Sequence, residues 1–297
     1  MSEESLSWPT ELAAPAEPGE LIWHDRGSNC VLDVHGDPAR ARLTLFSDGN
    51  HHMALAQTLA AFVRRHPDVG DVLYLTLPPP LLLKMLAAGG VRLGHLRLSL
   101  EPDAFIGPRA YMERVGTLRP LGQSLAFARS RGQALLVRRA NPKAIRGPAD
   151  LQRADVRLFI SNPERETASF EVYAETLTGA FRARGLDADA LQRRLAAGTH
   201  GVVHGEHVHH REAPAALAGG RADVAVLYSH LALRYCRVFP DLFEMLELPG
   251  AAGTVHTDYF VAARKGSAWG PRLAEFMFDD PAREAYLYHG LDPLRAP

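Results

Sequence analysis

The sequence predicts an α/β protein built as two lobes, with mixed, mostly parallel sheets and helices on both faces. Three observations carry that expectation. Apolar strand-like runs alternate with amphipathic helical stretches from Ala41 onward, the pattern of parallel βαβ units. Near Gln133 the alternation starts afresh in a second block. The length, 297 residues, is enough for two cores at about 100–200 residues per domain.

Taken in order, residues 1–40 read as a leader and extension, rich in Pro, Glu and Ala at first and then punctuated by Gly, Asp and Pro. ARLTLF (Ala41–Phe46) is a strand, SDGNHH a loop, and MALAQTLAAFVRRH a helix with Met53, Leu55, Leu59, Phe62 and Val63 spaced for burial. VLYLTL is a second strand. PPPLLLKMLAAGG is a Pro-started helix closed by Gly, HLRLSL an alternating strand, and DAFIGP a short buried strand ending in a turn. The second block opens with the strand QALLVRR, then a turn and short helix in NPKAIRGPADLQ, the strand VRLFIS, the loop NPERETAS and the helix FEVYAETLTGAFRARG. PAALAGG is a helix, ADVAVLYS a strand and LALRYCRVFP a helix, and a strand and two helices close the chain. This places one lobe in residues 41–130 plus 236–297 and the other in 131–235. No repeat of about 20–50 residues is visible, which argues against a solenoid.

Composition narrows the functional classes. With 46% hydrophobic and 23% charged residues the chain is ordinary globular material. Its 33 basic and 34 acidic side chains leave a formal charge of -1, so no global basic excess points to nucleic acid. Two cysteines, Cys30 and Cys236, exclude a disulfide-rich scaffold and a CxxC motif and leave one pairing open. Apolar runs are broken by Pro or charge before about 18–20 residues, so no membrane-spanning helix is expected. The acidic N-terminus lacks the basic and apolar regions of a secretion signal, so as written the chain is expected to be cytoplasmic. The 14 histidines are the compositional oddity.

Ligands of open α/β sheets sit beyond the carboxyl ends of strands, where helix N-termini present free N–H groups. The residues in those places are therefore the candidates. Ser47, Asp48, Gly49, Asn50, His51 and His52 follow the first strand and serve either as a helix cap or as an anion-binding loop. Gly107, Pro108 and Arg109 form a turn that brings a backbone N–H and a cation. Glu164, Arg165 and Glu166 lead into Thr167, Ala168 and Ser169 at a helix start, where a hydroxyl is first a cap. His204, His207, His209, His210, Arg211 and Glu212 precede PAALAGG, with imidazole spacings found in metal sites but neither HExxH nor a zinc-finger pattern. Tyr228, Ser229 and His230 close another strand. No Walker A run, GxSxG, GxGxxG or kinase set is present. Donors converging without a catalytic motif point to binding rather than turnover.

Several segments carry a resemblance: LTLFSDGNHHMALAQTLAAFVRRHPDV, DAFIGPRAYMERV, LLVRRANPKAIRGPADL, ISNPERETASFEVYAETL, HHREAPAALAGGRADVAVLYSHLA and FMFDDPAREAYLYHGLDPL. In their order they resemble the type II periplasmic solute-binding proteins, in particular the molybdate- and tungstate-binding branch of ABC-transporter receptors, over about Ala41 to Leu294. The resemblance implies a two-lobed periplasmic-binding-protein fold with a ligand cleft between the lobes, a non-catalytic role, and an ABC permease or a sensor as partner of a monomeric chain. It implies ligand contacts at Ser47, Asp48, Asn50, His51, Gly107, Pro108, Thr167, Ala168, Arg211, Glu212 and Tyr228, with molybdate or tungstate as the bound oxyanion and no cofactor required. It also implies periplasmic residence if the sequence is a processed form. DGNHH, IGP and HHRE depart from the small residues and serines usual in that branch. Two further readings therefore stand beside the oxyanion: a divalent transition metal on His51, His52, His209, His210 and Glu212, and a metal-assisted hydrolase with Glu166 or Glu212 as base.

Overall fold

A computed structural model describes residues 34–93, 96–248 and 255–296. The chain divides into two compact units, with boundaries at Ser130/Arg131 and His256/Thr257. The leader and Cys30 lie outside the described residues, so the Cys30–Cys236 pairing does too; in the part of the extension that is described, Val34–His35 forms a strand.

Strands β1 (Val34–His35), β2 (Ala41–Ser47) and β3 (Asp71–Thr76) flank helix α1 (His52–Arg65). Helix α2 (Pro79–Ala87) leads into a hairpin of β4 (Gly90–Leu93) and β5 (Leu96–Ser99), followed by β6 (Ala104–Pro108), helix α3 (Arg109–Leu118) and β7 (Leu125–Ser130). The second unit holds β8 (Gln133–Arg138), β9 (Leu158–Ile160), α4 (Thr167–Arg182), α5 (Ala188–Ala197), β10 (Val202–His204), α6 (His209–Ala218), β11 (Val224–Tyr228), α7 (Ser229–Val238) and β12 (Phe243–Glu247). The chain returns to the first unit with β13 (Asp258–Ala263), α8 (Gly270–Phe276), α9 (Asp280–Tyr288) and β14 (Leu291–Pro293).

The first unit is a seven-stranded mixed sheet, β1-β3-β2-β6-β13-β7-β14. Strand β2 runs parallel to β3 and β6, whereas β13 runs antiparallel to β6 and β7. Strand side chains alternate faces, so each strand feeds two cores. Leu45, Ala104, Ile106, Tyr259 and Val261 pack under α1, α8 and α9, joined by Phe62, Phe276 and Tyr286. Phe46, Phe105, Phe260 and Ala262 pack on the other face, with Leu82, Tyr111 and Met112 from α2 and α3. Helix α1 buries Ala54, Leu55, Thr58, Leu59 and Phe62, the stripe expected of a helix on a sheet, while Met53 and Val63 lie at its margin.

The second unit is a five-stranded sheet, β10-β9-β11-β8-β12. Strand β9 pairs parallel with β10 and β11, and β8 pairs antiparallel with β11 and β12. That last pairing corrects one expected boundary. The return to the first lobe comes at residue 257 rather than 236, because Phe243–Glu247 bonds to β8 and holds the end of α7 with the second sheet.

A second correction concerns the His-rich stretch. His209, His210, Arg211 and Glu212 are the first turn of α6, not a loop ahead of a helix at Pro214. Pro214 lies inside that helix, where its missing N–H removes the bond to the His210 carbonyl. Among the described residues no helix is long and apolar enough to cross a membrane.

Candidate functional site

In the first unit the candidate loop is the turn between β2 and α1. Asp48 caps it: its Oδ1 accepts from Asn50 N at 2.7 Å, and Gly49–His51 coils as a 3-10 turn that runs into α1. The Asp48 backbone N–H donates to Ile106 O across the β2–β6 ladder at 2.9 Å, which seats the loop beside Gly107. Gly49 is needed for space, since a Cβ there would stand 3.0 Å from Thr76 O. Asp48 is 3% exposed, and burial pushes its carboxyl up to about 6 against the Asn50 N–H that lowers it.

His51 is fully buried. Its Nε2 meets Ser47 Oγ at 3.2 Å and its Nδ1 meets the Tyr286 hydroxyl at 2.6 Å, tying the loop to α9 from 235 residues away. His52 Nδ1 donates to Gly49 O at 2.9 Å, and burial lowers its pKa. These imidazoles hold the loop in shape, a role that sequence spacing alone does not reveal. Nearby, the Tyr111 ring of α3 covers Gly107 so closely that a Cβ on Gly107 would lie 2.5 Å from Tyr111 Cδ1. Arg109 is exposed, with its guanidinium 4.5 Å over the Phe260 ring, and Pro108 pairs with Tyr259 at the strand end.

In the second unit, Asn162 Oδ1 accepts from Glu164 N and Arg165 N, turning the chain into α4. Thr167 opens that helix as expected, but it is exposed and its hydroxyl donates to Pro163 O at 2.8 Å; Ala168 is exposed as well. The residues deeper in this corner are Ser161 and Ser169, whose hydroxyls are 2.9 Å apart, and Glu166. Glu166 Oε2 accepts from His209 N at 2.9 Å, and burial raises its carboxyl to about 7 with a smaller push from Glu212. Glu212 accepts from the backbone N–H groups of Glu206 and His207. Glu166 thus engages the first backbone N–H of α6, while Glu212 folds back from the first turn onto the two residues that precede the cap.

His209 stacks on Phe159 at 5.1 Å and leans on Tyr173, and burial lowers its pKa to about 3. It is a core histidine. Among the described residues no group of three or more His, Cys, Asp or Glu is arranged to hold a metal ion. Within the first unit His51 and His52 are engaged in hydrogen bonds of the β2–α1 turn, and within the second His209 packs on Phe159 while Glu212 accepts from backbone N–H groups. Tyr228, at the end of β11, lies edge-on to Tyr173 at 5.4 Å and parallel to His230 at 5.4 Å. Arg234, one turn into α7, was not singled out by sequence reasoning. Burial holds its guanidinium below the usual arginine range, and it lies 5.7 Å over the Tyr235 ring. The positive charges of Arg234 and Arg211 both act on the buried Tyr235 phenol, against the burial that raises it. The legible signal was a charged residue set beside Leu231, Ala232 and Tyr235 on the apolar stripe of a helix.

The profile of the bacterial extracellular solute-binding protein family matches residues 43–292. The chain belongs to that family. It is thus a solute-binding protein of the ABC-transport type, taking a small-molecule ligand and working with a permease, and the match spans both units. A search of curated proteins finds no match. Solved structures of similar fold include the sulfate-binding protein SubI from Mycobacterium tuberculosis (17% identity, TM-score 0.64, 85% of this chain and 86% of that one). Peb3 from Campylobacter jejuni is similar at 14% identity and TM-score 0.61, over 84% of this chain and 99% of that one. The periplasmic molybdate-binding protein of Azotobacter vinelandii is similar at 16% identity and TM-score 0.58, over 84% and 98%. At these identities the likeness shows the fold of the solute-binding protein.

Proposed function

We propose that this solute-binding protein captures a small solute bearing an oxyanion group and delivers it to an ABC permease outside the cytoplasmic membrane. The observation that carries the reading is the pair of guanidinium charges, Arg211 in the first turn of α6 and Arg234 one turn into α7, that act on the buried Tyr235 phenol. A guanidinium in a dry setting gains far more from an anion than one in water, and its planar fork suits oxyanion geometry. Tyr228 closes β11 directly ahead of α7. The similarity to proteins described as binding molybdate and sulfate supports the same ligand class. Molybdate and tungstate are the inorganic members expected from the sequence.

Isothermal titration of the full chain with molybdate, tungstate, sulfate and phosphate tests this. One anion per chain is expected, with affinity reduced at least about tenfold in Arg234→Gln, since a charge-assisted hydrogen bond contributes roughly 1.5–3 kcal/mol. Heat from divalent zinc or nickel and none from any anion would contradict the reading.

A further inference from the structure

Helices α2 and α3 lie side by side on one face of the first sheet, and their outer surface carries an unbalanced charge. Leu82, Leu83 and Leu86 of α2 and Tyr111, Met112 and Val115 of α3 pack into the core beneath. The Arg119 guanidinium, just past α3, donates to Leu86 O at 3.1 Å and pairs with Glu101, which ties the two helices together at that end. Their other ends follow β3 and β6. Because β2 is parallel to both strands, α2 and α3 start at the same end of the sheet as α1 and its candidate loop. Facing outward, Lys84, Arg109 and Arg114 are exposed, and none of the three forms an ion pair among the described residues. Glu113 is the one acid in either helix. Arg109 is held flat, 4.5 Å over the Phe260 ring, and Leu81, 43% exposed, stands one turn before Lys84. The opposite face of the sheet is mixed in sign: α8 and α9 carry Glu275, Asp280 and Glu284 beside Arg272 and Arg283, and Arg65 of α1 pairs with Asp279 at 3.0 Å.

We propose that the outer face of α2 and α3 docks on an acidic surface of the permease, with Leu81 as the apolar contact among Lys84, Arg109 and Arg114. The proposal rests on the family membership, which supplies a permease as partner, and not on the class of solute. It therefore stands or falls separately from the oxyanion reading. An unpaired excess of one sign, gathered on a rigid helix pair, steers and orients association with a surface of the opposite sign. Placement favours the permease as that surface. Ligands of α/β sheets are held at the strand ends where α2 and α3 begin, so a permease on this face stands next to the solute it receives. A second copy of the chain fits poorly, because a two-fold dimer through this face would set its cations against the same cations of the partner.

The experiment places a benzophenone photo-crosslinker at the Leu81 position of the full chain, in cells that carry its cognate transporter. A parallel preparation carries it at Leu287, which is 55% exposed on the opposite face of the same sheet. Irradiation followed by mass spectrometry identifies what each position touches. The expected result is an adduct between the Leu81 position and an Asp- or Glu-containing outer segment of the permease, at least about fivefold more abundant than any permease adduct from the Leu287 position. Lys84→Glu combined with Arg114→Glu should cut that adduct at least about fivefold, with Lys84→Gln combined with Arg114→Gln falling between. Melting curves of these variants should match the unaltered protein, since both positions are exposed and unpaired. Permease adducts from the Leu287 position in place of Leu81, an adduct of Leu81 with a second copy of the chain alone, or no permease adduct from Leu81 overturns the proposal. So does a Leu81 adduct that the charge reversals leave unchanged.

Discussion

Replacing Asp48 by Asn should stabilise the protein above about pH 6, although it alters a residue that caps a helix. Burial raises the Asp48 carboxyl from 3.8 to about 6, so folding penalises its ionised form. Below about pH 4 both folded and unfolded chains hold the proton and Asp48 contributes nothing. Between about 4 and 6 the unfolded chain releases the proton first, so stability falls as pH rises, and above about 6 the full cost is in place. A difference of roughly two pKa units at 1.36 kcal/mol each sets that cost at about 3 kcal/mol. Asn keeps the cap without the charge. Guanidinium denaturation of the unaltered protein and of Asp48→Asn, each at about pH 4 and pH 8, reads the effect as a difference of differences. Near-equal stability at the lower pH and a gain of about 3 kcal/mol at the higher one is expected, or about 6–12 °C in the melting temperature of the first unit. A variant that is less stable at both pH values would refute the reasoning, since the carboxylate would then be a net stabilising cap. The predicted sign is that of a functional residue retained at a cost to stability.

Gly107→Ala sets a methyl 2.5 Å from Tyr111 Cδ1 and should cost about 1–3 kcal/mol in chemical denaturation. Tyr286→Phe removes the 2.6 Å bond to His51 Nδ1 and should cost about 1–3 kcal/mol, read in the same way. Glu166→Gln should narrow the loss of stability between about pH 5 and pH 8, because the raised carboxyl of Glu166 penalises folding as it ionises; melting curves across that range give the answer.

The strand–loop–helix order was legible because each strand of the first sheet alternates between two apolar faces, as Leu45 and Phe46 or Ile106 and Phe105 do. What escaped was mostly short or mixed in pattern. Helix α5 carries its own signals, the Asp187 cap on Ala190 N and Gly198 in the left-handed region at φ 64, but its polar face hides the apolar stripe of Leu191 and Leu195. Strand β12, FEMLE, is only partly buried at a sheet edge, and missing it displaced the lobe boundary by about twenty residues. At the site, position was read more reliably than role. Ser47, Asp48 and Asn50 do cluster at a strand end, and Tyr228 does close β11. The spacing of the histidines allows metal ligation as one alternative but does not decide it. Whether an imidazole faces solvent or packs on Phe159, as His209 does, depends on tertiary partners many residues away. The same holds for His51, fixed by Tyr286, and for Tyr111, whose contact with Gly107 depends on how α3 leaves β6.

The central claim is that this solute-binding protein takes one small anion. Native mass spectrometry of the purified full chain, coupled to elemental analysis and repeated after adding phosphate, sulfate, molybdate or glycerol 3-phosphate, addresses it most directly. The account predicts a single added anion mass per chain, diminished in Arg234→Gln and without stoichiometric zinc, nickel or copper. A chain that carries one transition-metal ion and shows no anion adduct would contradict it.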